Sequence, residues 1–164
     1  MASTYSPSLR LTLIGDGEQT GIWGQTTNTN LGTLLEQAIT GVSSIVMTDA
    51  NYTLTSYNGV VDEARNAVII ATGTNSAQRN IVAPLVEKIY TIKNSTVGGQ
   101  SIVVKTSGGA GVTIPNGKTV TLYCDSTDCF FANDYFDSIG IFSSLTVNGN
   151  STLGDASGYT VTIN

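Results

Sequence analysis

The chain has 164 residues, of which only 12% are charged, and its net charge of −5 with a pI near 4.4 comes with no histidine. Seven scattered Lys and Arg do not make the clustered basic surface that neutralises phosphates, so no nucleic-acid partner is expected. The missing histidine removes the usual general base near neutral pH and the commonest metal ligand, so the expectation is no enzyme and no cofactor or metal.

The opening MASTYSPSLRL lacks the apolar run of a secretory leader. No stretch reaches the roughly 18 apolar residues of a membrane span, so no membrane insertion is expected and synthesis is placed in the cytoplasm. An apolar share of 40%, with abundant Thr, Ser, Asn and Gly, suits one β-rich core with a hydroxyl and amide surface.

In chain order, Ser8 to Ile14 alternates, with Leu9, Leu11 and Leu13 on one face, and reads as a first strand. Gly15-Asp16-Gly17 stops it, and Trp23 between glycines reads as an irregular loop. Leu31, Leu34, Leu35, Ala38 and Ile39 then fall on one face of an amphipathic helix, capped by Thr29 or Asn30 and ended by Gly41 as its C′ glycine.

After the helix the period returns to two. Val42 to Thr48, Tyr52 to Leu54, Ala67 to Thr72, Asn80 to Val82, Glu87 to Lys93, Ser101 to Lys105, Val112 to Ile114 and Thr119 to Tyr123 read as short strands. Turn pairs such as Asn58-Gly59, Gly98-Gly99 and Asn116-Gly117 separate them. With no helices to carry parallel crossovers, the spacing predicts a mainly β, antiparallel β-sandwich or jelly-roll-like domain with one N-terminal amphipathic helix. The charged run Asp62 to Asn66 reads as a solvated loop, with an inter-subunit ion pair of Arg65 as the alternative.

Three further constellations bear on chemistry. Asp125 and Asp128 share one turn, which their residue types explain without a catalytic or calcium role. Cys124 and Cys129 flank that turn; two thiols are too few for a structural zinc site, and the expectation is a buried thiol pair, with oxidation across a hairpin as the alternative. Trp23 between glycines reads as plugging a core or docking into a neighbour, with a sugar-stacking platform, Tyr5, Tyr52 and Tyr57 lying elsewhere, as the alternative.

The predicted domain occupies residues 1–133. Residues 134–144 form a neck in which Tyr135, Phe136, Ile139, Ile141 and Phe142 are too apolar for a free linker; one chain would hide them on its own domain, several chains at a shared axis, and the second is the expectation. In residues 145–164, Leu145, Val147, Val161 and Ile163 alternate in strands that close no core alone. That pattern predicts the start of a trimeric β-stalk, with these nine residues as chain-to-chain contacts.

The run TYSPSLRLTLIGDGEQTGIWGQTTNTNLGTLLEQAITG, followed by TDANYTLT, DEARNAVIIATGT and RNIVAPLVEKIYTIKNSTVGGQSIVVKTSGGAGVTIPNGKTVTLYCD, resembles the N-terminal, tail-attaching region of tail fibre proteins of tailed bacteriophages, most strongly those of marine and freshwater phages including cyanophages. The resemblance covers about residues 4 to 125, and LTVNGNSTLGDASGYTVTIN is similar to the start of a repetitive fibre shaft. It implies a homotrimer in the virion tail, held by a tail tube, adaptor or baseplate protein and supporting host attachment, with host glycans or receptors met only by distal fibre regions. Leu9, Leu11, Leu13 and Trp23 are then the candidate tail-docking residues, because the shaft leaves from the other end. A glycan- or receptor-binding β-sandwich module of the virion is the alternative function, and a depolymerase would require more than the Asp125 and Asp128 pair.

Overall fold

A computed structural model describes residues 2–133. The chain opens with a two-strand hairpin, β1 (Thr4–Tyr5) and β2 (Thr12–Leu13). A helical rod follows without a break: α1 (Trp23–Thr29), a π-helical segment (Asn30–Leu35) and α2 (Glu36–Thr40). Nine strands then build two sheets: β3 (Val42–Thr48), β4 (Tyr52–Thr53), β5 (Val68–Thr74), β6 (Arg79–Val82), β7 (Glu87–Asn94), β8 (Ile102–Lys105), β9 (Val112–Ile114), β10 (Thr119–Asp125) and β11 (Cys129–Phe131).

The architecture is mainly β and sandwich-like, as expected, but its sheets are mixed. The five-stranded sheet has the order β11-β10-β7-β5-β3 and the four-stranded sheet β4-β6-β8-β9. From β3 to β8 the chain alternates between them, so β3, β5 and β7 stack parallel in one sheet while β4, β6 and β8 stack parallel in the other. Each parallel crossover is thus made by a strand of the opposite sheet, which is why the lack of crossover helices did not forbid parallel pairing. The winding is that of a short solenoid.

Stacking places similar side chains above one another between the sheets. Ser43, Ile69, Ile92 and Val120 share one inward row, and Tyr52, Ile81, Val104 and Val112 another. Ile69, Ile92, Ile81 and Val104 are inaccessible to solvent, and with Ile45, Met47, Ile102, Ile114 and Leu122 they form the core. The coil corners are tight: Gly73 and Gly98 adopt φ of +91° and +108°, and a Cβ on either would strike the backbone of Met47 or Asn75.

Winding stops at β8. β9 folds back antiparallel on β8, and β10 runs antiparallel to β7 over its whole length. Asn94, fully buried at this reversal, ties its corners together: Nδ2 donates to the carbonyls of Gln100 at 3.0 Å and Ile114 at 3.1 Å, while Oδ1 accepts from the Thr96 amide and hydroxyl.

Several local expectations change. The predicted strand from Ser8 to Ile14 is reduced to Thr12–Leu13, because Arg10 takes φ +50° and closes a turn onto Ser6. The Trp23 loop is the first turn of α1: Gln19 O accepts the amides of Ile22 and Trp23, so the helix starts upstream of Thr29 and has no side-chain cap. Gly41 is extended at φ −64°, ψ 134° and not left-handed; a side chain there would collide with the Gln37 carbonyl and Asn66 Oδ1.

The run Asp62 to Asn66 is buried rather than solvated. Asp62 Oδ1 accepts the Arg65 amide at 2.7 Å, and Oδ2 accepts the Tyr57 amide at 2.8 Å and Arg65 Nη2 at 3.2 Å. Arg65 is therefore spent inside its own chain, where Nη2 also donates to the Tyr57 and Val60 carbonyls. Cys124 and Cys129 form a disulfide, not a thiol pair, since they are direct register partners across β10 and β11. The neck and shaft residues Tyr135, Phe136, Ile139, Ile141, Phe142, Leu145, Val147, Val161 and Ile163 lie outside the described residues.

Candidate interaction surface

The N-terminal hairpin, the helical rod and the loop from Thr55 to Asn66 are bound into one assembly by polar side chains. Asn30, in the π-helical segment, accepts the Thr12 amide on Oδ1 at 3.1 Å and donates from Nδ2 to the Thr12 carbonyl at 2.7 Å, which joins the rod to β2. Arg10 Nε donates to the Tyr57 carbonyl at 3.3 Å, and Arg10 Nη2 lies 3.8 Å from Asp62 Oδ2. Gln37 Nε2 donates to the Asp62 carbonyl at 3.0 Å, which joins α2 to the same loop.

The electrostatics of this loop keep it closed. Glu63 accepts Tyr52 Oη at 2.6 Å and the Thr55 amide at 2.9 Å; burial pushes its carboxyl up, but those hydrogen bonds prevail and hold it below its ordinary value. The same contact, with burial, drives the Tyr52 phenol up to about 12. Burial of the Arg65 guanidinium lowers its affinity for its proton, opposed by the Asp62 carboxylate.

This base presents several large apolar side chains to solvent among polar ones. The helix contributes only Leu34 to the buried interior. Trp23, Leu31 and Ile39, spaced eight residues apart, are 61%, 58% and 67% exposed. The π-helical segment widens a turn by a residue, which turns Leu31 off the face that buries Leu34. Ile22 extends the exposed stripe beyond Trp23.

Of the sequence-derived docking residues, Leu13 and Trp23 are exposed on this assembly, whereas Leu9 and Leu11 are half-buried. The apolar periodicity predicts Leu31 and Ile39 on the core-facing side; for Leu31 the missing signal was the π turn, which the spacing of apolar residues does not reveal. Of the aromatic side chains named beside Trp23, Tyr52 is committed to Glu63.

The turn after β10 is built by its own carboxylates. Asp125 Oδ1 accepts the Thr127 hydroxyl at 2.6 Å and the amides of Thr127 and Asp128, which lowers its pKa to about 2. Asp128 Oδ2 accepts the amides of Ala110 and Gly111 at 2.6 and 3.1 Å, and Oδ1 that of Cys129. Both are spent on backbone, and among the described residues no three His, Cys, Asp or Glu side chains gather as metal ligands. No protein family, curated protein or solved structure matches the chain.

Proposed function

We propose that this chain is a virion structural protein, the tail-attaching region of a homotrimeric phage tail fibre made in the host cytoplasm. It docks on a tail tube, adaptor or baseplate protein and supports host attachment through the fibre that follows. The observation that carries this reading is the exposed Trp23, Leu31 and Ile39 stripe on a cross-tied base, since apolar side chains in a row on a rigid element favour association. The sequence resemblance supports the same reading, with Leu13 and Trp23 as the strongest docking residues.

Sedimentation equilibrium of the purified chain is the test. Three times the chain mass of 17.1 kDa is expected. A monomer whose unfolding midpoint is independent of protein concentration would overturn the reading.

A further inference from the structure

The outer face of the five-stranded sheet carries an ordered pattern that neither the core nor the proposed association uses. β7 and β10 pair in register, so alternate residues of both point outward in rows. One row is Ile89, Tyr123 and Phe130, linked by the register pairs Tyr123 with Ile89 and Tyr123 with Phe130. The Tyr123 and Phe130 rings lie 5.5 Å apart, inclined by 33°, and the two residues keep 42% and 41% of their surface in solvent.

Polar rows border this shelf on both sides. On one side Glu87 and Asp125 are direct register partners, and among the described residues no salt bridge reaches either. On the other side Thr91 and Thr121 are register partners with hydroxyl oxygens 3.3 Å apart. Successive rows on one face stand about 7 Å apart, two residues along a strand. A hollow of about 330 Å³ opens at the carboxylate side, lined by Glu87, Ile89, Tyr123 and Asp125 among others.

We infer that this face is a saccharide-binding platform on which a pyranose ring stacks over Tyr123. A pyranose has an apolar C–H face and a rim of hydroxyls, and the arrangement matches both. The ring's C–H face covers the Tyr123 and Phe130 shelf, where apolar contact is otherwise lost to water. Its hydroxyls reach carboxylate acceptors on one rim and threonine hydroxyls on the other. A purely apolar partner would leave the Glu87 carboxylate desolvated and unpaired, at a cost that disfavours it. The platform is distinct from Trp23 and stands independently of the tail-anchor reading.

Saturation-transfer NMR on the full chain tests it, with methyl β-glucopyranoside, methyl β-galactopyranoside and N-acetylglucosamine as probes. Transfer is expected to the ring C–H protons of at least one probe, retained by Tyr123→Phe and about tenfold weaker in Tyr123→Ala. Glu87→Gln separates the rim from the shelf and is expected to weaken binding while the protein's own amide spectrum stays folded. No transfer to any probe, or transfer that survives Tyr123→Ala but disappears in Trp23→Ala, overturns the platform. Neither outcome alters the sedimentation result, so the two readings fail separately.

Discussion

Arg65 Nη2 donates to Asp62 Oδ2 at 3.2 Å with both side chains withdrawn from solvent, and this contact anchors the loop on which the N-terminal hairpin and helix rest. Removing one member of such a pair strands the other as a buried, uncompensated charge. Asp62→Ala is therefore expected to cost about 3–5 kcal/mol of stability, read from urea denaturation midpoints. Asp62→Asn, which keeps an acceptor for the Tyr57 or Arg65 amide, is expected to lose less.

Asn94 makes an equivalent prediction at the other end of the core. Replacing it with Ala abandons the Gln100 and Ile114 carbonyls and the Thr96 amide and hydroxyl inside the fold. Each stranded polar group costs about 1–3 kcal/mol, so Asn94→Ala is expected to be among the most damaging polar substitutions. Thermal melting beside an exposed control, Asn51→Ala, checks it.

Lys88 gives a pH dependence of defined sign. Burial, together with repulsion from Arg65 and opposed by Asp62, lowers its pKa from 10.5 to about 8, while Nζ sits 4.8 Å from the centre of the Tyr90 ring. Between those values the unfolded chain holds a proton that the folded chain has released, so stability rises with pH from about 8. Above pH 10 the raised phenols of Tyr52 and Tyr90 act in the opposite sense, because the folded state keeps protons the unfolded chain loses. Denaturation midpoints are thus expected to climb from pH 8 to 10, and Lys88→Met is expected to flatten the climb.

The disulfide closes a short loop in the denatured chain, worth about 2 kcal/mol on the chain-entropy model. Reduction is expected to lower the melting temperature and to speed amide exchange in β11 before the rest of the five-stranded sheet. Mass-resolved hydrogen exchange with and without a reductant reads both.

Charge placed on the helix stripe tests association directly. Leu31→Lys with Ile39→Lys removes exposed apolar surface and leaves Leu34 and the Asn30 to Thr12 contacts in place. Loss of binding to isolated phage tails, with an unchanged sedimentation mass and circular dichroism spectrum, is the expected outcome.

Much of the fold was legible because strands that face a core alternate whatever their neighbours do. Val42–Thr48 and Val112–Ile114 fall where the alternation put them. Pairing direction was not legible, since a strand crossing to the opposite sheet has the same length and turn signals as one turning back in a hairpin. Composition also misled at Asp62 to Asn66, where charged residues look solvated but Asp62 pairs with Arg65 Nη2 and with backbone amides inside the fold. Trp23 was singled out as a candidate docking residue, yet as part of a loop and not as the first residue of a helix. The Tyr123 shelf emerged only from register, which brings Phe130 and Ile89 beside it.

The disulfide has a mechanical meaning. A pull on the chain beyond residue 133 meets β11 first, a strand of three residues that would peel from the edge pair by pair. Cys129 hands that load directly to Cys124, inside β10, whose pairing with β7 runs from Thr119 to Asp125. The Phe131 and Phe130 pairs can still open, but tension is then handed from Cys129 into β10, and the turn between the two cysteines is bypassed in the load path.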